Sequence, residues 1–271
     1  MIDRYLRASN APEAVRLFRE AGPGAAYLGG GTAVNSSEYQ DLRPSTVIDL
    51  HAIDMAEVEV GTTGLRLGAG CTLQGLLEDQ RLPSALRKAF GQVVNRNLRN
   101  VATLGGIVAL NDPRSDVLPA LLAYEAEVET LDPTGLSRQA LEPYLAGHLD
   151  GTLVTAVLLS PEAVDRRLAT ARFASSGNAR ATVGLAIAVP ARSTDRPSFL
   201  VAAVGLSPRV LRLRGLERTL ATDPIDLETL EAALAAEVTP ADDLQGSPSF
   251  KLHLAAVLVQ RALVELEEVG R

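Results

Sequence analysis

Two short glycine-centred segments are where this sequence could do chemistry. Gly29-Gly30-Gly31-Thr32 follows an apolar run, Ala25 to Leu28, and Thr103-Leu104-Gly105-Gly106 precedes another, Ile107 to Leu110. Glycine lets the backbone reach positive φ and approach a ligand closely, so consecutive N–H groups can point into one concavity. Such a concavity binds phosphate without lysine, and lysine is scarce here: Lys88 and Lys251 are the only two among 26 basic residues. Tight turns between strands would use the same glycines, and neither segment alone decides between the readings.

Other catalytic signatures fail. Gly29 and Gly31 do not complete G-x-G-x-x-G, because Val34 stands where the third glycine belongs. There is no Walker loop, no H-E-x-x-H and no G-x-S-x-G. His51, His148 and His253 are isolated, without metal-ligand spacing, and read as surface or satisfied core residues. Cys71 is the single cysteine, so no intrachain disulfide and no Cys-ligated zinc or iron–sulfur cluster can be built from this chain. It reads as a small buried hydrophobe. Any electron transfer would need an organic cofactor.

The elements that must position these segments are legible from caps and periodicity. Asn10, Pro12 and Glu13 open a helix whose stripe is Ala14, Val15, Leu17, Phe18 and Ala21, and Gly22 ends it. Ala25 to Leu28 and Val47 to Leu50 read as strands. From about residue 57 come short strands and helices: a half-buried strand at Leu65 to Leu67, a helix from Ser84 through Val94, and a polar loop from Asn95 to Val101. Ser115 can cap a helix holding Leu118, Leu121 and Leu122. Glu127 to Leu131 is a strand ending in the turn Asp132-Pro133-Thr134-Gly135, and Leu153 to Leu159 is another, closed by Ser160-Pro161. Three β-like runs follow (Arg167 to Ala174, Val183 to Val189, Phe199 to Leu206). Asp226 can then cap a helix from Leu227 to Ala236, and Ser247 a long one from Ser249 to about Glu268. Strands first and helices after suggest a separate α+β unit. No internal repeat is visible.

The 271 residues allow one large domain or two to three smaller ones at roughly 100–200 residues each. With 46% hydrophobic and 22% charged residues the chain can fill a sizeable core, which excludes disordered and collagen-like classes. A net charge of −7 argues against a general nucleic-acid binder. No apolar run approaches the about 20 residues that span a bilayer, and the N-terminus lacks a signal-peptide core, so a soluble cytoplasmic protein is expected. Asn35-Ser36-Ser37 fits a glycosylation sequon, without expected use in that compartment.

The flanks of the glycine segments carry a family resemblance. Gly29-Gly30-Gly31-Thr32-Ala33 is similar to an Ala-Gly-Gly-Thr-Asp loop. Arg99-Asn100-Val101-Ala102-Thr103-Leu104-Gly105-Gly106-Ile107 is similar to Arg-Asn-x-Ala-Thr-Ile-Gly-Gly-Asn, and Pro113-Arg114-Ser115-Asp116-Val117 to Pro-x-Ser-Asp-Leu. Leu65 to Leu73 resembles a strand followed by Gly-Ala-x-x-Thr-Leu, and Asp243 to Lys251 resembles Asp-x-x-Gly-Ser-x-x-Tyr-Arg. In this order and spacing, over nearly the whole chain, the sequence resembles the FAD-binding subunit of the molybdenum hydroxylases, the family of carbon monoxide and xanthine dehydrogenases.

The resemblance implies an α+β chain: two flavin-binding subdomains (1–55 and 56–162) and a small C-terminal domain (163–271) of antiparallel sheet and helices. It implies FAD as cofactor, and an electron-transfer role between the iron–sulfur clusters of a small partner and an external acceptor. A large partner would carry the molybdenum cofactor, making a hetero-oligomer. The implied cofactor-binding residues are Leu28, Gly29, Gly30, Gly31, Thr32, Ala33, Ala102, Thr103, Gly105, Gly106, Ile107, Ser115 and Asp116, with backbone N–H groups of both glycine segments on the pyrophosphate. Asp116 is either an acceptor for sugar or ribityl hydroxyls or a first-turn acid favouring a helix dipole. No catalytic acid, base or nucleophile is implied. Three positions depart from the family: Ile107 replaces Asn, Ala33 replaces an acid, and Ala174 follows Phe173 where a Lys is usual. Arg172 and Arg180 are candidates to replace that Lys. These departures leave two alternatives, a cofactor-poor assembly relative and a self-contained flavin oxidoreductase.

Overall fold

A computed structural model describes residues 2–39, 42–93, 95–147, 151–177, 179–191, 198–222 and 226–269. Its strands form three sheets. The first is parallel, with β1 (Arg4–Arg7), β2 (Ala25–Leu28) and β3 (Thr46–Asp49) in the order β1-β3-β2. All four residues of the central β3 are buried, whereas β1 is mostly exposed and carries no apolar run to announce it. Helix α1 (Ala11–Ala21) packs on this sheet through Ala14 and Val15. Asn10 caps it by accepting from Glu13 N at 2.9 Å, worth about 1 kcal/mol. The Glu13 carboxylate reaches back to Ser9 N rather than to Asn10 N, so the capping box closes one residue earlier than expected.

The second sheet is antiparallel, with β4 (Val58–Gly61), β5 (Gly64–Gly68), β6 (Glu127–Asp132), β7 (Gly135–Ala140) and β8 (Leu153–Leu159) in the order β4-β5-β8-β6-β7. Between β5 and β6 the chain makes five short helices: α2 (Leu73–Glu78), α3 (Ser84–Gly91), α4 (Arg96–Arg99), α5 (Leu104–Leu110) and α6 (Leu118–Ala123). Three differ from expectation. Helix α3 starts at Ser84 without a side-chain cap and ends at Gly91; Val94 lies outside the described residues. The polar stretch after it is no loop, because Asn95 accepts from Asn97 N at 2.8 Å and starts α4. The second glycine segment is the first turn of α5, capped by Thr103 Oγ1 accepting from Gly106 N.

The third sheet is antiparallel, with β9 (Arg167–Phe173), β10 (Val183–Val189), β11 (Leu200–Val204) and β12 (Leu211–Arg212) in the order β12-β11-β10-β9. Every residue of β10 is buried, and its two faces differ. Val183, Leu185, Ile187 and Val189 pack against the helices Arg214–Leu220, Leu227–Glu237 and Pro248–Val269. Ala186 and Ala188, with Ala202 of β11, belong to the core of the middle unit. Those small side chains let α6, whose six residues are all buried, lie against β10 and β11. The segment leading into α6 is thereby fixed to the third sheet. The α+β class read from the sequence holds, with the antiparallel sheet and helices in the C-terminal part.

Candidate functional site

A cleft of about 890 Å³ opens where the three sheet units meet. One wall is the chain after β2, from Gly30 to Tyr39. A second is formed around α4 and α5 by Leu98, Val101, Ala102, Ile107 and Leu110. A third comes from Asp112, Arg114, Ser115 and Asp116 ahead of α6, and the last from Ser175, Ala179, Arg180 and Gln245. The first wall leaves the carboxyl end of a parallel strand, where open α/β sheets commonly bind ligands.

The two glycine segments meet physically. A Cβ on Gly29 would stand 2.8 Å from Thr103 Oγ1, and one on Gly30 would stand 1.6 Å from the Val101 carbonyl oxygen. Gly31 has φ +67°. Its carbonyl accepts from Asn35 N at 3.1 Å and from Asn35 Nδ2 at 3.0 Å, which closes the loop. None of the backbone N–H groups from Gly29 to Val34 donates a hydrogen bond to a described residue. Thr32 lines the cleft with its hydroxyl equally unspent.

The second segment behaves differently. Leu104 N donates to Cys71 O at 2.9 Å, Gly105 N to Ala69 O at 2.8 Å, and Gly106 N to Thr103 Oγ1 at 3.2 Å. Those donors are already satisfied by the protein. The pair of nests expected from the sequence is therefore one set of open donors and one buttress behind it. Of the thirteen cofactor-site residues named from the sequence, Gly30, Gly31, Thr32, Ala33, Ala102, Ile107, Ser115 and Asp116 line the cleft. Leu28, Gly29, Thr103, Gly105 and Gly106 stand behind this lining.

Asp116 has 7% of its side chain exposed. Arg172 Nε lies 2.9 Å from Asp116 Oδ1, yet neither atom has a hydrogen-bond partner, so this is an ion pair with its hydrogen-bonding capacity unspent. Burial pushes the Asp116 carboxyl up to about 6, against the pull of Arg172. Ser115 Oγ accepts from Val117 N and Leu118 N, both at 3.3 Å; the residue at the cap of α6 is Val117, without a side-chain cap, so Ser115 braces the turn ahead of the helix instead of occupying the expected cap. Arg172 Nη2 donates to Ala179 O at 2.6 Å and ties the β9–β10 loop to the site.

A second polar group crosses the cleft. Tyr39 donates its hydroxyl to Asp112 Oδ2 at 2.5 Å. Arg180 pairs with the same carboxylate through Nη1 and with Glu38 through Nε at 2.9 Å, and its guanidinium lies 4.5 Å over the Tyr39 ring. Burial, and then the Asp112 carboxylate, push the Tyr39 phenol well above its usual range. Sequence reading missed Tyr39 and Asp112 because the contacting residues lie 73 and 68 positions apart with no shared motif. The Asp243-to-Lys251 motif serves as a clamp: buried Lys251 binds Ala241 O at 2.8 Å and Asp243 Oδ1 at 2.7 Å. Gln245 of the same turn reaches the cleft and accepts from Thr182 Oγ1 at 3.1 Å.

The remaining candidates lie elsewhere. His51 is exposed, His253 contacts Glu231 at 2.6 Å, and His148 lies outside the described residues. Cys71 is buried, and desolvation pushes its thiol up. Among the described residues no cluster of His, Cys, Asp and Glu is placed to hold a metal, and no helix is long and apolar enough to cross a membrane.

Residues 1–160 match the family described as the FAD binding domain in molybdopterin dehydrogenase, and residues 169–266 match the CO dehydrogenase flavoprotein C-terminal domain. The chain is 30% identical to the uncharacterized protein YgfM of Escherichia coli K12, over 100% of this chain and 98% of the relative. It is 25% identical to the xanthine dehydrogenase FAD-binding subunit of Escherichia coli O157:H7, over 96% and 94%. In fold it is similar to a chain of a carbon monoxide dehydrogenase from Hydrogenophaga pseudoflava, solved without the Mo-pyranopterin moiety of its molybdenum cofactor. That match has a TM-score of 0.86 and 24% identity, covering 97% of this chain and 96% of the other.

Proposed function

The chain belongs to the family of FAD-binding subunits of molybdopterin dehydrogenases, and we propose that it holds FAD in the cleft between its three sheet units. The observation that carries this reading is the run of unspent N–H groups from Gly30 to Ala33 at the cleft wall. Charge-assisted N–H···O⁻ bonds are roughly twice as strong as neutral ones, so such a run suits a pyrophosphate. The Thr32 hydroxyl adds a donor. Asp116, which lines the cleft with Arg172 beside its Oδ1, is an acceptor for a sugar or ribityl hydroxyl. Val101 and Thr103 hold the glycine loop in place from behind. Ile107 offers only an apolar surface where the family has Asn, and Arg180 is engaged by Asp112 and Glu38. The loss of a side-chain hydrogen bond costs about 0.5–1.5 kcal/mol, which weakens binding without abolishing it.

FAD, when bound, supplies the redox chemistry, and the protein supplies binding, orientation and electrostatics. We assign the complex a cytoplasmic place, with residues 1–55 and 56–162 as the flavin-binding subdomains and 163–271 as the C-terminal domain. Electrons would reach this chain from an iron–sulfur subunit, itself fed by a molybdenum-cofactor subunit, and leave to an external acceptor. The single cysteine supports that division of labour, because no Cys-ligated cluster can reside on this chain.

The test is equilibrium titration of the purified full-length chain with FAD, followed by the visible spectrum after desalting. Retained flavin absorbance is expected. Absence of both titratable binding and retained flavin overturns the proposal and favours the cofactor-poor assembly role, for which the apolar Ile107 in the cleft is the structural argument.

A further inference from the structure

The cleft is lined by two side-chain cations, Arg114 and Arg180. Arg180 is already neutralised, since Asp112 and Glu38 both contact it. Asp116, the remaining acid of the lining, has Arg172 beside it. The Arg114 guanidinium has no hydrogen bond and no ion pair to any described residue. Its backbone, in contrast, is fixed. Arg114 N donates to Asp112 Oδ1 at 2.9 Å, Ser115 N donates to Asp112 O at 3.0 Å, and Pro113 O accepts from Gly205 N at 3.1 Å. A held main chain therefore presents one unpaired guanidinium to the cleft.

We infer that Arg114 is a phosphate-binding residue of this site and supplies the side-chain charge that the glycine loop lacks. The inference rests on the reading of the cleft as a dinucleotide site. A guanidinium is a planar fork that matches phosphate oxygens two at a time, and it stays charged at any working pH. In a chain of net charge −7, an anionic ligand needs such a local cation as well as backbone dipoles. Arg114 thus completes an anion subsite whose other wall is the open N–H run at Gly30 to Ala33.

The experiment compares the full-length protein with Arg114→Ala and Arg114→Lys, titrated with FAD, with ADP as competitor, and with riboflavin. FAD and ADP carry the pyrophosphate and riboflavin carries no phosphate. Arg114→Ala should weaken FAD and ADP about tenfold or more, the range for a hydrogen bond to a charged group. Riboflavin affinity should hold, and Arg114→Lys should recover part of the loss. Unchanged FAD affinity in Arg114→Ala overturns the assignment. So does an equal loss for FAD and riboflavin, which would make Arg114 a shape element rather than a phosphate ligand. Wild-type protein that binds no FAD overturns the flavin reading itself, and that result is obtained before any variant is made. Circular dichroism of each variant confirms that the fold persists, as expected for a change that leaves the fixed backbone N–H in place.

Discussion

The α-carbon of Gly30 faces the carbonyl oxygen of Val101 so closely that a Cβ would stand 1.6 Å from it. This contact joins the loop after β2 to the chain ahead of α5. It makes glycine a packing requirement at position 30, independent of any ligand.

Gly30→Ala must separate the two segments or displace the Val101 carbonyl. Overpacking of this kind costs about 1–3 kcal/mol, so the melting temperature should fall by roughly 2–10 °C. FAD affinity should fall with it, since the open N–H groups lie on the displaced loop. Differential scanning calorimetry and flavin titration of the same variant read both effects. An unshifted melting temperature would mean that the contact is looser than described.

Tyr39, Asp112 and Arg180 act as one unit across the cleft. Tyr39→Phe removes the hydroxyl donor and Asp112→Ala removes the acceptor that both partners share. Asp112→Ala should destabilise by about 1–3 kcal/mol, because the half-buried Tyr39 hydroxyl is left unsatisfied, and Tyr39→Phe by less, about 0.5–1.5 kcal/mol, because Arg180 still pairs with the carboxylate. The double variant should cost less than the sum of the single ones, with a coupling of at least about 0.5 kcal/mol. Urea unfolding of the full cycle gives the number; additive effects would dissolve the unit.

Asp116 gives a pH signature. Its carboxyl titrates near 6 in the folded chain because burial disfavours the charged form, and near the ordinary carboxylate value when unfolded. The folded state therefore binds the proton more tightly. Stability associated with this group is present at low pH and is lost as pH rises from about 4 to about 6. Asp116→Asn should remove that fall, an effect of up to roughly 3 kcal/mol. Chemical denaturation of both proteins across this range should yield stability curves that run together at low pH and separate as pH rises through about 6. Parallel curves would place Asp116 in a more solvated setting.

Local chemistry made much of this architecture readable in advance. Asn10, Asp226 and Ser247 each accept from the helix N–H groups that their side chains were expected to cap. The β-like run Val183 to Val189 marked a strand, and the structure adds that its alanine face admits α6. Reading failed where partners are distant. The two glycine segments look equivalent in sequence, but Leu104 N and Gly105 N are taken by Cys71 O and Ala69 O, more than thirty positions away. Strand β1 was silent because it is exposed and polar. Tyr39 was silent because nothing in its neighbourhood points to Asp112 or Arg180.

The central claim is that the donors from Gly30 to Ala33 receive the cofactor while those of Leu104 to Gly106 serve the fold. Amide chemical shifts of the isotopically labelled full-length chain, recorded by NMR with and without saturating FAD, test it residue by residue. The account predicts large shifts at Gly30, Gly31, Thr32 and Ala33 and small ones at Leu104, Gly105 and Gly106. FAD binding that leaves the first group unmoved, or that moves the second group instead, would contradict it.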